Sequence, residues 1–343
     1  MTQLREAPWP PLRAGVQWRL RGLAVLVRWV PVVSWIGGSI AIGFGAALGR
    51  LGLAAEKERS WATRCGLDVV LIILAGVLLQ GVAAHAFNDR EDWHSGTDRA
   101  STGRLSGGSR AVPRGLLGLH HLTWIGVVAV SVAALIALYF TSRHKPGALV
   151  LWLIAVWSAV TYSLPPFRLA YRPLLGEWLA AWPAIVAGAA GTFYLLTRRF
   201  AWPAAIAGAL HGLFCLAWLM QHHLADIHAD LAADPVKLTT PAWLYRLAKA
   251  AGGPESEERA VGMARLPAMV YFSLAALGSA AAVGLPVVGW VFWAPALLAT
   301  IGLLVASRGG VFDLDDITGR ERCLISLSLL EAVSLAVGLA LAG

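Results

Sequence analysis

The chain has 343 residues, of which 57% are hydrophobic and only 14% are charged. A soluble domain carries about 25% charged residues, so the composition excludes an ordinary soluble domain and predicts a polytopic membrane protein. We attribute the net charge of +8 to cytoplasmic loops and to attraction by membrane lipid, not to nucleic acid. The three cysteines are far apart and form no CxxC motif, which argues against a disulfide framework or a zinc knuckle.

The first 25 residues precede the apolar segments and are predicted to form a cytoplasmic N-terminal arm. Apolar side chains from Trp9 to Leu23 are interspersed with arginines and two prolines. The arm therefore contains either a short amphipathic helix lying in the membrane plane or a flexible segment. We expect no cleaved signal peptide, because no clean apolar core precedes a small-residue cleavage site.

Residues 26–343 contain nine apolar runs, and a helix needs roughly 20 such residues to cross a membrane. An open sheet cannot satisfy its backbone in lipid, so the predicted fold is all-α, a polytopic transmembrane helical bundle of about nine spans. The runs cover about 26–48, 66–87, 116–141, 147–164, 176–197, 201–221, 266–285, 287–306 and 323–342.

The distribution of lysine and arginine predicts how the bundle is oriented. With nine spans, the N-terminus and the loops after the second, fourth, sixth and eighth spans share one side of the membrane. These segments hold more than twice as many lysines and arginines as the opposite loops. Positive loops stay in the cytoplasm, so we expect this side to be cytoplasmic, in a membrane of the bacterial inner-membrane type.

An acidic motif follows the second predicted span. Asn88 and Asp92 are four residues apart, so they share one face of a helix, and Asp89 lies close to that face. Gly96 is expected to end the helix and to turn Asp98 back toward the others. Carboxylate and amide oxygens suit Mg²⁺, which takes phosphate oxygens as further ligands. The pattern predicts a metal site for a polyphosphate, and the alternative is a solvated acidic loop end.

A second acidic motif lies at the end of the sixth predicted span. Asp226 and Asp230 are spaced i,i+4 and would share a helix face, where they can hold a second ion, Mg²⁺ or Mn²⁺. Lys237 follows closely enough to reach the same phosphates. Both motifs fall on the predicted cytoplasmic face, which makes the pair more informative than either alone. Three nearby histidines either bind a softer metal or hydrogen-bond the acids: His222, His223 and His228.

Basic and aromatic residues accompany the acids on the same predicted face. The Gly107-Gly108 turn offers backbone N–H groups to an anion, and Arg104 and Arg110 beside it are candidates for phosphate contacts. Tyr162 and Arg172 lie between the fourth and fifth spans and are expected to face the same site. Ordinary cytoplasmic charge and interfacial anchoring are the alternatives for these residues.

In order and form, these motifs resemble the UbiA superfamily of intramembrane prenyltransferases, over about residues 25–342. The resemblance is carried by Asn88-Asp89-x-x-Asp92 with Gly96-Thr97-Asp98, Gly107-Gly108-Ser109-Arg110, the Tyr162-Ser163-x-Pro165-Pro166 segment, and Asp226-x3-Asp230 with Lys237. The Gly-Thr-Asp form of the first motif is similar to that of the 1,4-dihydroxy-2-naphthoate prenyltransferases of menaquinone synthesis.

The resemblance implies a UbiA-like fold and a Mg²⁺-dependent membrane enzyme, with two ions expected. Such an enzyme transfers an isoprenyl chain from a prenyl diphosphate to an acceptor, here expected to be an aromatic quinone precursor. The implied metal ligands are Asn88, Asp89, Asp92, Asp98, Asp226 and Asp230. The residues expected to hold the diphosphate are Arg104, Arg110, Arg172 and Lys237. The expected catalytic residues are Asp92, Asp226, Lys237 and Tyr162, the last facing the allylic cation.

Other interpretations remain open at this point. The second motif of the superfamily usually begins with asparagines, whereas this chain has Gln221-His222-His223, which leaves the acceptor and the subfamily undecided. A terpene cyclase on the same scaffold is one alternative, and an ion or metabolite transporter is another. The long loop between the sixth and seventh spans is either a movable lid or a passive connector.

Overall fold

The computed structural model describes residues 12–13, 15–51, 59–101, 107–253, 255–309 and 313–342, with side chains for all of these except 51 and 59–64. The described residues form helices and no strand. The main helices are α1 (Val16–Leu26), α2 (Trp29–Arg50), α3 (Cys65–Ser95), α4 (Thr97–Ala100), α5 (Leu119–Ser142), α6 (Gly147–Thr161), α7 (Gly176–Thr197), α8 (Trp202–Leu224), α9 (Ile227–Ala232), α10 (Thr240–Ala250), α11 (Ser256–Ala282), α12 (Gly289–Ala306) and α13 (Leu314–Leu341).

Eight of these helices are long and apolar enough to cross a membrane: α2, α3, α5, α7, α8, α11, α12 and α13. Helix α6 is equally apolar but has only 15 residues. Each of the nine predicted runs coincides with one of these helices, which confirms the all-α transmembrane bundle. Their ends differ most where a polar turn extends an apolar run, so that α3 continues to Ser95 and α11 already begins at Ser256.

Glycines in α2 allow three helices to pack with their backbones in close contact. A side chain at Gly45 would lie 2.1 Å from the carbonyl oxygen of Ala336, and one at Gly49 would lie 2.2 Å from that of Leu339, both in α13. At Gly43 a side chain would lie 2.2 Å from the carbonyl oxygen of Ala189 in α7. Only glycine permits this approach, which is a common basis of helix association in lipid.

Three membrane helices contain a π-helical turn near the same end of the bundle. These turns are Val32–Gly37 in α2, Val77–Ala83 in α3 and Gly176–Ala181 in α7. Trp35, Gln80 and Ala181, one from each turn, line the cavity described below. Such turns displace side chains from the regular helical register and are frequent at functional sites.

The segment between α8 and α11 is folded against the bundle. Helix α10 buries Ala242, Tyr245 and Ala248 in an apolar cluster with α11. At its start, the Thr240 hydroxyl donates to Oε1 of Glu177 over 2.6 Å and accepts the backbone N–H of Leu174 over 2.8 Å. These bonds fix the beginning of α10 to the beginning of α7. Movement of this segment as a lid stays a prediction.

The N-terminal arm contains α1, although residues 1–11 and 14 lie outside the described residues. Val16 and Leu20 are exposed on α1. The guanidinium groups of Arg13 and Arg21 lie 4.5 and 4.7 Å from the ring centre of Trp18. A helix thus forms in the arm, and its placement in the membrane interface stays a prediction.

Candidate active site

A cavity of about 360 Å³ lies where α3 and α8 end. Its walls include residues of both acidic motifs, of the Gly107–Ser109 turn and of the segment that follows α6. Seven of the residues singled out from the sequence line it: Asn88, Asp92, Asp98, Tyr162, Asp226, Asp230 and Lys237. The structure therefore brings the two motifs together, although they are far apart along the chain.

The first motif reaches the cavity because α3 extends beyond its apolar run. Asn88 and Asp92 are one turn apart on the same face, and Nδ2 of Asn88 donates to Oδ2 of Asp92 over 2.9 Å. Gly96 ends α3 with φ +91°, a conformation that glycine adopts without strain. The short helix α4 then turns the chain so that Asp98, which is buried, also lines the cavity.

Lys237 lies between the two acidic motifs. Its Nζ is 2.7 Å from Oδ2 of Asp92 and 3.9 Å from Oδ1 of Asp230. The hydroxyl of Tyr171 donates to the other oxygen of Asp92 over 3.0 Å. Burial opposes the charge on Lys237, but the carboxylates of Asp92 and Asp230 outweigh it and keep the pKa of Lys237 well above its usual value. These contacts favour the protonated, positively charged form of Lys237 at this site.

The second motif differs in one respect from the sequence-based prediction of a continuous helix. Helix α8 ends at Leu224, and Asp226 precedes the separate helix α9 that carries Asp230. The backbone N–H of Asp230 still donates to the carbonyl of Asp226 over 2.8 Å, so the two acids remain one turn apart. The Ser101 hydroxyl donates to Oδ1 of Asp226 over 2.7 Å, which joins this motif to the loop after α4.

Asp230 is the most deeply buried acid of the second motif. The hydroxyl of Thr239 donates to its Oδ2 over 3.2 Å, whereas its Oδ1 is buried without a hydrogen-bond partner in the described part of the chain. Burial raises the pKa of Asp230, and the charges of Asp226 and Asp92 add to the effect. Burial likewise raises the pKa of Asp98, with Asp92 and Asp89 as the nearest repelling carboxylates. Carboxylates in this situation favour a cationic partner.

Asp89 does not line the cavity and instead holds the glycine turn. Both of its oxygens accept the backbone N–H of Ser109 over 3.2 Å, and Oδ2 also accepts the Ser109 hydroxyl. Gly108 has φ +72°, and a side chain there would lie 2.3 Å from Oδ2 of Asp98 and 3.0 Å from Oδ1 of Asp89. The turn thus packs directly on the acids and requires glycine at this position.

Of the basic residues predicted to bind diphosphate, only Lys237 lines the cavity within the described residues. The guanidinium of Arg110 donates to the carbonyls of Asp98 and Ser101 over 3.3 and 3.0 Å and so stabilises the turn around α4. Arg172 is exposed, donates to the carbonyl of Pro166 over 3.5 Å and does not line the cavity. Arg104 lies outside the described residues.

One cavity-lining cation was missed in the sequence. Arg28, which falls within the first predicted span, lies between α1 and α2 in a left-handed conformation (φ 50°) and lines the cavity. An arginine within an apolar run is a costly residue, because a charge is poorly tolerated in lipid. That cost was the available signal that Arg28 faces a polar site and not lipid.

The histidines near the second motif have separate surroundings. His222 and His223 both line the cavity, and Nδ1 of His222 lies 2.8 Å from Oε1 of Glu321 in α13. The ring of His228 instead lies 5.8 Å from that of Tyr245. Among the described residues, no three side chains of histidine, cysteine, aspartate or glutamate form a cluster of metal-binding geometry.

A second, apolar cavity of about 110 Å³ adjoins the first. It lies between α2, α3, α5, α6 and α7, and it shares Ile36 and Gln80 with the larger cavity. Its lining includes small residues such as Ala133, Ala137 and Gly188. The two cavities together present a charged end and an apolar end.

Comparison with solved structures finds the same fold in archaeal proteins. A UbiA homologue from Archaeoglobus fulgidus bound to DMAPP and Mg²⁺ aligns with a TM-score of 0.57 at 15% identity, covering 91% of this chain and 99% of that chain. The same kind of homologue bound to GPP and Mg²⁺ gives 0.55 at 14% identity, covering 92% and 99%. An apo UbiA homologue from Aeropyrum pernix K1 gives 0.51 at 18% identity, covering 89% and 96%.

Comparison by sequence adds a partial relative and a family match. An uncharacterized protein of Methanothermobacter thermautotrophicus is 38% identical over 77 residues, which is 22% of this chain. The chain spans only 65% of the length of that relative. Residues 42–329 match the model of the UbiA prenyltransferase family. Because this match covers most of the sequence, the chain belongs to the UbiA prenyltransferase family.

Proposed function

We propose that the protein transfers an isoprenyl chain from a prenyl diphosphate to an aromatic acceptor within the membrane, with Mg²⁺ as cofactor. The observation that carries this proposal is the meeting of Asp92 and Asp98 with Asp226 and Asp230 around one cavity. Family membership favours the reaction type, and two solved structures of a UbiA homologue from Archaeoglobus fulgidus contain DMAPP or GPP together with Mg²⁺.

The residues present fit Mg²⁺ by the type and state of their donor atoms. Asn88, Asp92, Asp98, Asp226 and Asp230 supply amide and carboxylate oxygens to the same cavity, which is the ligand type that Mg²⁺ prefers. Oδ1 of Asp230 is buried without a hydrogen-bond partner among the described residues, and a cation would satisfy it. Asp89 would support the site indirectly through the glycine turn. When bound, Mg²⁺ supplies positive charge to the diphosphate oxygens.

The chain itself supplies further charge for the leaving group. Lys237 and Arg28 both line the cavity with the acids, and we propose that both contact a bound diphosphate. Positive groups already in place stabilise the charge that develops on the leaving oxygens as the allylic C–O bond breaks. Lys237 is paired with Asp92 in this structure, so we expect a diphosphate oxygen to share or replace that contact.

To Tyr162 we assign the stabilisation of the opposite charge, the positive charge that develops on the isoprenyl chain. It follows α6, and its side chain lines the cavity. Burial raises the pKa of Tyr162, so the phenol stays neutral and presents an intact aromatic face. Such a face attracts a cation through its quadrupole. The apolar cavity behind Ile36 and Gln80 provides space for the isoprenyl tail.

For the acceptor we propose an aromatic quinone precursor, with 1,4-dihydroxy-2-naphthoate as the first compound to test. The support is the Gly96-Thr97-Asp98 form of the first motif, in which Gly96 turns Asp98 into the cavity. His222 and His223 replace the asparagines that usually begin the second motif, which leaves the acceptor undecided. The same assay should therefore include a second phenolic acceptor.

The test is direct incubation of the purified protein in detergent with Mg²⁺, DMAPP or GPP, and either 1,4-dihydroxy-2-naphthoate or 4-hydroxybenzoate. We expect mass spectrometry to show a prenylated acceptor and released diphosphate, and we expect both to vanish when EDTA removes the metal. A cyclised hydrocarbon formed equally well without acceptor would contradict the proposed transferase and indicate a terpene cyclase.

A further inference from the structure

We propose that His222, oriented by Glu321, is the base that accepts the phenolic proton of the acceptor. This inference rests on the proposed function and deepens it, because it requires an acceptor that carries an ionisable hydroxyl group. The reaction steps described above use the acids, the cations and Tyr162 but leave this proton without a recipient.

The geometry of the His222–Glu321 pair is that of an oriented base. Nδ1 of His222 lies 2.8 Å from Oε1 of Glu321, and the Glu321 side chain is only 4% exposed. A carboxylate accepts hydrogen bonds, so Nδ1 carries the hydrogen, and in the neutral imidazole Nε2 then keeps its lone pair. His222 lines the cavity, and no residue in the described part of the chain hydrogen-bonds its Nε2. The free lone pair is therefore available to a molecule in the cavity.

The depth of His222 matches the expected position of the acceptor. His222 lies in the last turn of α8, which ends at Leu224, whereas Asp226 follows that end. It thus lies on the bundle side of the acids that would hold the diphosphate. The ring of Trp218, one turn earlier in α8, lies 6.3 Å from the ring of His222. The ring of Trp35 lies 5.3 Å from that of Trp218. These indoles line the same cavity and form an aromatic wall beside the base.

The proposed step balances in atoms and electrons. Nε2 of His222 takes the hydroxyl proton of the acceptor, and the resulting phenolate directs electron density to a ring carbon. That carbon forms a bond to C1 of the isoprenyl chain, while the C1–O bond breaks and its electron pair leaves with the diphosphate. The ring regains aromaticity by losing its carbon-bound proton to the diphosphate or to water, and the proton on His222 returns to the oxygen.

The chain contains a second histidine–glutamate pair whose histidine cannot act on a molecule in the cavity. His211 and Glu331 lie on the same two helices, and Nδ1 of His211 is 2.7 Å from Oε2 of Glu331. Both side chains are fully buried, and Nε2 of His211 donates to the carbonyl of Ser34 over 3.0 Å. This pair does not line the larger cavity. Both pairs join α8 to α13, but only the His222–Glu321 pair also lines the cavity. A comparison of variants at the two pairs therefore distinguishes a role in the site from a role in helix packing.

The experiment compares His222→Gln, Glu321→Gln and the control His211→Gln, all purified in detergent. For the phenol that the wild type prenylates, we expect His222→Gln to lower kcat by about 100-fold, since a general base contributes at least that much. GPP binding in the presence of Mg²⁺, followed by tryptophan fluorescence, should stay near the wild-type affinity. We expect His211→Gln to lower the melting temperature while keeping kcat near that of the wild type.

A second substrate separates proton transfer from a structural effect. An analogue of the same phenol with several ring fluorines is more acidic, so a larger fraction of it is ionised without a base. The defect of His222→Gln should therefore shrink about tenfold with this analogue, because the missing proton transfer matters less. A structural role for His222 would give the same defect with both acceptors. We expect Glu321→Gln to show the same dependence on the acceptor in weaker form.

Three outcomes overturn the inference or its basis. Near wild-type kcat in His222→Gln, or an equal defect with both phenols, would exclude His222 as the base and leave the proposed transferase intact. A wild-type protein that binds GPP but prenylates neither acceptor would instead overturn the proposed function, and the inference with it. If His222→Gln does not fold, the same comparison is made with His222→Asn and judged by the same two results.

Discussion

The ammonium group of Lys237 lies 2.7 Å from Oδ2 of Asp92, which joins the segment after α9 to the polar end of α3. Because Lys237 also lies 3.9 Å from Oδ1 of Asp230, this internal cation links the two acidic motifs around a common cavity. The charge balance of the site therefore depends on Lys237 as much as on the acids, and this dependence leads to the first two predictions.

Replacing Asp92 or Asp226 with alanine should abolish prenyl transfer, with a loss of at least about 100-fold in kcat. Each change removes an oxygen donor from the cavity in which we place Mg²⁺ and the diphosphate. The measurement is prenylated product formed at saturating GPP and Mg²⁺. Asp68→Ala is the matched control, because Asp68 lies near the other end of α3 and pairs with Lys145 over 2.6 Å. Near-normal turnover by Asp92→Ala would show that the metal assignment is wrong.

Replacing Lys237 with methionine should make the protein more responsive to Mg²⁺ alone. The buried carboxylates of Asp92 and Asp230 lose their internal cation, and an unpaired buried charge costs several kcal/mol, about 3–5. We expect a lower melting temperature without metal and a larger rise on adding Mg²⁺ than in the wild type. Thermal unfolding in detergent over a Mg²⁺ titration measures both. Lys145→Met should show the lower melting temperature without the enhanced response, and an equal response in the two variants would refute the prediction.

Replacing Gly108 with alanine should impair the site without removing any charged group. The new Cβ would lie 2.3 Å from Oδ2 of Asp98, and φ +72° is unfavourable for alanine. We expect a loss of kcat of about tenfold or more, because the acid must shift from its position. Gly262→Ala is the control, since a side chain there meets nothing within 4 Å. Equal kcat values for the two variants would mean that the turn is not fitted to the acids.

Replacing Ala133 with phenylalanine should shorten the isoprenyl chains that the protein accepts. Ala133 is buried and lines the apolar cavity of about 110 Å³, so a large ring there fills the space proposed for the tail. We expect turnover with GPP to fall much more than turnover with DMAPP in competition assays. Leu135→Phe lies on the outer face of the same helix, where Leu135 is 66% exposed, and should leave the preference unchanged. An unchanged preference in Ala133→Phe would place the tail elsewhere.

The fold was largely predictable because a helix that crosses a lipid bilayer must be apolar over about 20 residues. Each apolar run had the length and composition of a membrane helix, and all nine correspond to helices of the bundle. Helix ends were less accurate, because hydropathy detects only the apolar part of a helix. The polar turns after Phe87 in α3 and before Leu266 in α11 are helical without being apolar. The break after Leu224 was missed since no proline or glycine marks it.

The site was predictable where spacing alone brings residues together, as for Asn88 and Asp92. The site was less predictable for arginines, because a positive charge near a membrane does not indicate whether the side chain lines the site or lies elsewhere on the cytoplasmic face. Arg110 and Arg172 donate to backbone carbonyls, whereas Arg28, within an apolar run, lines the cavity. The His222–Glu321 pair joins two helices that are far apart in the sequence, and no local sequence pattern predicts such a contact. The assignments of ligands and catalytic roles stay predictions.

The glycine-mediated contacts of α2 affect the route by which an apolar, prenylated product leaves the protein. Gly45 and Gly49 bring the backbones of α2 and α13 so close that no alkyl chain can pass between them at that end. The π-helical turn of α2 lies near the opposite end of that helix, and residues of this turn and of those in α3 and α7 line the cavity. We therefore expect breathing motions, and lateral release into the bilayer, to be confined to the leaflet nearest the acids. Amide hydrogen exchange should be slow along Gly43–Gly49 and faster through Val32–Gly37.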